Sequence, residues 1–302
     1  MKFSIFADIH HYPEVFMGGT YEDLDFIEAR AIKEGCSFVI QAGDFTHKPA
    51  AATDYIKRYN NFKIPTYHCL GNHDTDRTPL EETLKLYNMD KGYYFFDKEG
   101  YRFIICDTNY YLLDGQYIHY DMGNYYSQKG NLDWMPPSQI KWLEETINLS
   151  ANPCVIISHQ SFERCNGVKN REEVQKIINE ANKKKPNSVI MCINGHYHRD
   201  NLRVIDNVLY FDLNSASFDW IDNPHDKYPE SLSKEHAKAS NTLIYNDPIH
   251  AVISLEGNKI NILGMESSMF MGINREHTDN PVYDPAGRRV TPRVQSAKIS
   301  LG

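Results

Sequence analysis

Six short apolar runs recur along the first two thirds of this chain, and five of them end in a polar cluster, a pairing that constrains what the chain can become. The runs are Phe3 to Ala7, Phe38 to Gln41, Thr66 to Leu70, Phe103 to Cys106, Val155 to Ile157 and Val189 to Ile193. They have strand length and are rich in β-branched or aromatic residues. After the first come Asp8-Ile9-His10, after the second Gly43-Asp44, and after the third Gly71-Asn72-His73-Asp74. Ser158-His159 comes after the fifth and Gly195-His196-Tyr197-His198 after the sixth. In open α/β sheets, ligands bind beyond the carboxyl ends of the strands. One fold can therefore bring all five polar clusters to one point.

Amphipathic segments separate these runs. Asp23 to Glu34 places Leu24, Ile27, Ala31 and Ile32 on one helical face. Ser138 can cap a helix to about Leu149, with Ile140, Leu143 and Ile147 inward, and Arg171 to Lys184 repeats the pattern with Val174, Ile177 and Ile178. Strand and helix in alternation predict an α/β class. Val208 to Leu213, His250 to Leu255 and Lys259 to Leu263 read as later strands, forming a second sheet, antiparallel in part, stacked on the first. The polar, proline-punctuated stretch from Ile221 to Asp247 is predicted to be an inserted loop or lid. The expected organisation is one domain over residues 1–279 and an extension over 280–302, locally basic through Arg288, Arg289, Arg293 and Lys298.

Charge and cysteine usage narrow the partners and the compartment. A net charge of −8 repels polyanions, which weighs against duplex DNA or an anionic membrane. No stretch approaches the roughly 20 apolar residues that cross a bilayer. The six cysteines show no C-x-x-C spacing, and five lie in or beside apolar runs, as buried thiols of a reducing compartment do. Asp8 and His10 cut short any signal-peptide apolar stretch at the N-terminus. The expectation is a cytoplasmic protein, with secretion requiring a leader ahead of Met1.

The polar clusters have the chemistry of metal ligands. In an extended segment residues i and i+2 point to one side, so Asp8 and His10 can face one ion, as can His196 and His198. Mixed Asp, His and Asn donors suit Zn, Mn or Fe better than Ca or Mg. Asp8, His10, Asp44, Asn72, His159, His196 and His198 are too many for one such ion. They suit two ions sharing a carboxylate, typically ~3.5–4 Å apart. Taken singly each motif has a plainer reading: a surface turn at Asp8 and His10, a helix cap at Asn72 and Asp74, a core histidine at His159. Their joint occurrence at strand ends favours the two-metal site.

These five motifs, in this order, resemble the calcineurin-like metallophosphoesterase superfamily from Lys2 to about Asp200. The resemblance implies a four-layer αββα sandwich with two central mixed β-sheets. It implies that one divalent transition-metal ion takes Asp8, His10, Asp44 and His198, and a second takes Asp44, Asn72, His159 and His196. It further implies that a hydroxide bridging the two ions attacks a phosphate mono- or diester, with His73 near the leaving group, steered by Asp74. Asn72 and His11 are candidate substrate contacts. The chain departs from the protein-phosphatase branch, having His11 where Gly is expected and Leu70-Gly71-Asn72-His73-Asp74 in place of Arg-Gly-Asn-His-Glu. It departs from purple acid phosphatases, which place Gly at His10 and a ligating Tyr at His47. The closer similarity is to class III cyclic-nucleotide phosphodiesterases and related bacterial phosphohydrolases.

Several features stay open at this level. Six tyrosines between Tyr110 and Tyr126 are either an aromatic rim for substrate or a loop packed on the sandwich. His11 and His47 each contact substrate, orient a ligand, or stand by, the bystander role being favoured more for His47 than for His11. Asp107 and Asn109 read as loop structure. A small phosphorylated molecule is the expected substrate. The rivals are a nuclease of the same superfamily, disfavoured by charge, and an inactive metal-binding scaffold, disfavoured because every ligand position is filled.

Overall fold

The run Cys154-Val155-Ile156-Ile157 is buried on both faces. Cys154 and Ile156 pack into one apolar cluster, Val155 and Ile157 into another. A strand covered on both sides reads as continuous rather than alternating hydrophobicity, and it must lie in a sheet with a second layer on each face. The computed structural model, which describes residues 1–128 and 130–302, has that layering.

The chain begins β1 (Lys2–Phe6), α1 (Tyr21–Lys33), β2 (Val39–Ala42), α2 (Thr53–Asn60), β3 (Thr66–Cys69), α3 (Leu80–Leu86), β4 (Tyr94–Lys98) and β5 (Tyr101–Ile105). It continues with β6 (Tyr110–Leu113), β7 (Gln116–His119), α4 (Pro137–Asn148), β8 (Cys154–Ile157), α5 (Arg171–Lys184), β9 (Val189–Asn194), β10 (Asn201–Ile205) and β11 (Val208–Asp212). Last come β12 (Phe218–Trp220), α6 (Glu230–Glu235), β13 (Thr242–Ile244), β14 (Ala251–Glu256), β15 (Lys259–Leu263), β16 (Met265–Glu266), β17 (Arg293–Val294) and β18 (Ala297–Ser300). One six-stranded sheet has the order β18-β15-β14-β1-β2-β3, the other β10-β11-β9-β8-β5-β4. Both are mixed: β1, β2 and β3 are mutually parallel, as are β5, β8, β9 and β11, with antiparallel strands outside them.

Phe3, Ile5, Phe103, Val155 and Ile193 fill the space between the sheets. Leu24, Ile27, Tyr55 and Tyr59 of α1 and α2 cover the outer face of the first, where Phe6 and Val39 point. Ile140, Leu143, Val174 and Ile178 of α4 and α5 cover the outer face of the second. The architecture is the four-layer αββα sandwich. Helix α1 starts at a capping box, the Thr20 Oγ1 accepting from the Asp23 amide and the Asp23 carboxylate from the Thr20 amide. Helix α4 begins at Pro137 rather than after a Ser138 cap, because proline fits the first helical position, where no amide donor is needed.

The last third does not build a second sheet of its own. β14 adds antiparallel to β1, while β11 adds parallel to β9 in the other sheet. Each covers what would otherwise be an open strand edge beside a buried core. The stretch from 221 to 247 is folded. Helix α6 and β13 come after β12, and Phe218, Tyr228, Ala239 and Ile244 form a small apolar cluster with Phe16. The extension over 280–302 is wrapped onto the domain at its end, for β18 pairs with β15 at the edge of the first sheet and Leu301 is buried. Truncation after Ser296 should therefore destabilise the fold by ~2–4 kcal/mol, from the lost ladder and the exposed Leu301. Urea unfolding measures this; an unchanged midpoint would show that the segment contributes nothing to the sheet.

Candidate metal centre

Past the ends of β1 and β2 the backbones stay paired. The Asp8 amide donates to the Gly43 carbonyl and the His10 amide to the Asp44 carbonyl, both at 3.0 Å. Asp8, His10 and His198 form one buried group with ligand atoms within 4.8 Å of one another. The His10 Nε2 lies 3.1 Å from the His198 Nε2, which lies 3.4 Å from the Asp8 Oδ1. The other ring nitrogens are committed. His198 Nδ1 is 3.1 Å from the Phe218 carbonyl, and a carbonyl only accepts, so Nδ1 carries the proton and Nε2 is a bare lone pair. His10 Nδ1 is 2.9 Å from the His47 Nε2, and His47 Nδ1 is 3.2 Å from the Asp76 Oδ2. The carboxylate orders that chain of donors and leaves His10 Nε2 bare as well. Two lone pairs and a carboxylate facing one another repel unless a cation sits among them.

Asp44, His159 and His196 form a second group. His159 Nδ1 donates to the Ala42 carbonyl at 2.9 Å. Its Nε2 is 3.1 Å from the Asp44 Oδ2, yet not aligned for a hydrogen bond, and among the described residues it is left without a partner. The Asn72 Oδ1 is likewise buried and unpartnered. Asn72 precedes His73, whose amide donates to the Asp44 Oδ1 at 2.8 Å. A buried polar atom with no partner is costly, and two such atoms on candidate ligands beside one carboxylate fit a cation site. Asp44 also lies 3.9 Å from the His10 Nε2, which makes it the group common to both clusters.

The electrostatics point the same way. Asp8 and Asp44 are buried, and among the described residues neither has a Lys or Arg partner. Burial alone would lower the His159 pKa, but the Asp44 charge overrides it and pushes the ring up to about 10. Burial would raise the Asp44 pKa, but His159 and His73 hold the carboxyl well below its usual range. A site that pulls so hard on a proton pulls equally on a metal cation. His10 and His196 are pushed down by burial, His196 to about 3, and so are neutral imidazoles, the form that ligates metal.

The backbone that delivers these groups is not extended. Asp8, His10, Asp44, His196 and His198 all have left-handed φ, between 48° and 71°. The i, i+2 argument accordingly fails at the last motif, where turning of the backbone sends His198 to the first cluster and His196 to the second. Gly43 and Gly195 serve close approach of the protein to itself. A Cβ on Gly43 would lie 2.2 Å from the His159 Nδ1, and one on Gly195 2.4 Å from the Asp8 Oδ2.

The residues around His73 differ most from expectation. Asp74 does not steer it. The Asp74 carboxylate accepts from the amides of Phe45, Thr46 and Gly71 and from the Tyr87 hydroxyl, tying three loops together in the interior. Asp76 takes the steering place, its Oδ2 lying 2.7 Å from the His73 Nδ1. The short helical turn over Asn72–Thr75 brings residue i+3 back to His73, a spacing that could have revealed it. Asp76 also accepts from the hydroxyls of Tyr125 and Tyr126. The tyrosine-rich segment is therefore both a packed loop, through Tyr111, Tyr120 and Tyr125, and a rim, through Tyr126. His11 and His47 exchange their expected parts. The His11 ring stacks 3.7 Å from Tyr55 with its Nδ1 on the Gly19 carbonyl, away from both clusters. His47 lies against His10 and stacks on His73 at 4.3 Å.

Residues 1–200 match the calcineurin-like phosphoesterase family, and the chain belongs to it. No curated protein sequence matches it. Among solved structures it is similar to a dimetal phosphatase from Danio rerio, at 16% identity and a TM-score of 0.61, over 89% of this chain and 98% of that one. It is also similar to the purple acid phosphatase PPD1 of yellow lupin, at 12% identity and a TM-score of 0.52, over 99% of this chain and 53% of that one. A third likeness is to GAP50 of Plasmodium, at 14% identity and a TM-score of 0.54, over 100% of this chain and 89% of that one. These likenesses concern the fold.

Zinc- or manganese-loaded protein should hold close to two equivalents by elemental analysis. His47→Ala should weaken retention of one equivalent about 10–100-fold against a competing chelator, because His47 fixes the ring of His10. His11→Ala should leave both equivalents in place. Equal effects of the two substitutions would remove the ordering role of His47.

Proposed function

We propose that this chain hydrolyses the phosphate ester of a small molecule with two transition-metal ions, Mn, Fe or Zn. Asp8, His10, Asp44 and His198 would hold one ion and Asp44, Asn72, His159 and His196 the other. The observation that carries the reading is the meeting of two donor groups, one buried and one nearly so, at Asp44, with the His73 amide on the same carboxylate. Bound there, two cations supply Lewis-acid charge to phosphoryl oxygens and acidify a water enough for attack near neutral pH.

The protein's own groups do the rest. The His73 Nδ1 is held by Asp76, which leaves Nε2 as the nitrogen free for substrate. His73 is partly exposed, whereas Asp8, His10, Asp44, Asn72, His159 and His198 are buried. It is placed to hand a proton to the departing oxygen, and Asp76 orients the ring and offsets its positive charge. Within the family we place the chain nearest the class III cyclic-nucleotide phosphodiesterases and related bacterial phosphohydrolases, on its motif pattern. A nuclease would need many phosphate contacts, and a chain of net charge −8 offers little for them. The anchor named for GAP50 shows what else the fold is used for; the complete donor set here favours an enzyme.

The test compares leaving groups. A general acid contributes ~10²–10⁴-fold, and p-nitrophenolate scarcely needs one. His73→Asn should keep both metals and lose far more rate on an alkyl phosphoester than on p-nitrophenyl phosphate. Asp76→Asn should change the rates in the same direction by a smaller factor. Equal losses on both substrates, with metal content intact and chemistry rate-limiting, would assign His73 to phosphate binding instead.

A further inference from the structure

A cavity of about 670 Å³ opens beside the centre and touches His47, His73 and Asp76, but none of the seven candidate ligands. It adjoins the candidate ligands through His47, His73, Phe16 and Trp220 without being lined by them, where the departing part of a substrate would go. Its size is that of a pocket for a whole organic ligand, far beyond a bare phosphate.

The walls have a definite chemistry. Tyr12, Phe16, Trp220 and Tyr126 line them. Tyr126 is 60% exposed although Asp76 holds its hydroxyl at 2.8 Å, so its ring is fixed in place with an open face. Such a ring is a stacking platform. Arg77 and Lys238 also line the cavity, and among the described residues neither makes an ion pair. Asp76 is the one carboxylate on the lining, and His47, His73 and both tyrosines already engage it. In a chain carrying −8 overall, two cations left unpaired at one cavity make it locally attractive to an anion. Lys238 and Trp220 come from the folded stretch after β11, Tyr126 from the tyrosine-rich segment, and Arg77 from just past Asp76. None belongs to a metal motif.

We propose that this cavity is the leaving-group subsite, and that the substrate is a phosphoester whose leaving group carries both a planar aromatic ring and a second anionic group, as in a nucleoside bisphosphate. This rests on the reading of His73 as the group that faces the leaving oxygen. The ring stacks on Tyr126, and the second anion is bound by Arg77 and Lys238.

The experiment uses the metal-loaded full chain with four probes. They are adenosine 3′,5′-bisphosphate, adenosine 5′-monophosphate, cyclic adenosine 3′,5′-monophosphate and 1,3-propanediol bisphosphate. The bisphosphate nucleotide should have the highest kcat/KM, at least about tenfold above each of the others, the size expected for one charge-assisted contact. Arg77→Ala and Lys238→Ala should each raise KM for the bisphosphate nucleotide about tenfold more than for the monophosphate, and Arg77→Lys should restore part of the difference. Tyr126→Ala should weaken all three adenine nucleotides relative to the propanediol ester. Tyr126→Phe, which keeps the ring and loses only the hydroxyl, separates stacking from the hold on Asp76. Thermal unfolding of each variant checks that the fold is intact. Equal kcat/KM for the monophosphate and bisphosphate nucleotides, a preference for the cyclic nucleotide, or equal losses on all probes would overturn the proposal. Should the loaded chain hydrolyse none of the four, the hydrolase reading fails. Dissociation constants of the same probes, read by calorimetry, would then still decide the subsite, with the same order expected and equal affinities refuting it.

Discussion

Two carboxylates that no lysine or arginine among the described residues balances set the terms for this protein. Asp8 and Asp44 stand side by side because β1 and β2 are parallel and their backbones remain hydrogen-bonded beyond the strand ends. Burying one unpaired charge costs several kcal/mol, and two like charges cost more. Four imidazoles crowd around them, and three ring contacts, from His198, His159 and His10, fix which nitrogen faces inward. The arrangement makes sense only as a receptor for positive charge.

The same constraint explains the strained backbone. Five of the seven candidate ligands have left-handed φ without being glycine, at a cost of about 1–3 kcal/mol each. A fold with a typical net stability of ~5–15 kcal/mol holds such strain only where its surroundings over-determine it. Here every strand leading into a strained turn is buried on both faces, between a central core and a helical layer. The glycines beside the ligands let carboxylate and imidazole approach the chain to distances a Cβ would forbid. Rigid strands thus carry the strain, and ions bound at their ends would return stability in proportion to their affinity.

How much of this is legible in the sequence depends on how local each signal is. Apolar runs ending in Asp, His or Asn are local, so strands β1, β2, β3, β8 and β9 and the residues gathered at their ends can be read directly. Sheet membership is not local. β14 and β11 have similar apolar patterns but complete different sheets, because each covers a different open edge. The β6–β7 hairpin and its tyrosines offer composition without geometry. The partner of His73 is obscured in the sequence because adjacency suggests Asp74 over the i+3 spacing of Asp76. A tight helical turn instead points Asp74 inward to three amides and brings Asp76, at i+3, back to the imidazole. His11 and His47 cannot be ranked from sequence at all. Each sits next to a motif, and only the packing of His11 on Tyr55 and of His47 on His10 distinguishes them.

Asp76 links the parts that the sequence presents separately. One oxygen of its carboxylate receives His73 and His47 together, and through His47 it reaches His10 at the metal centre. Its other oxygen receives Tyr125, whose hydroxyl also takes a hydrogen bond from the Asn72 side chain. The orientations of His73 and of His10 are therefore set by one side chain. Four donors hold that carboxylate in a single position, and the His47 and His73 imidazoles lower its pKa to about 2 against the burial that would raise it. Because Tyr125 and Tyr126 lie outside the ligand motifs, change in that segment can reshape the rim while the centre stays built. But it must keep two hydroxyls on Asp76, or it loosens His73 and His10 at once. A loop that varies in its ring faces and is fixed in its hydroxyls is how this fold can vary the rim without disturbing the candidate metal centre.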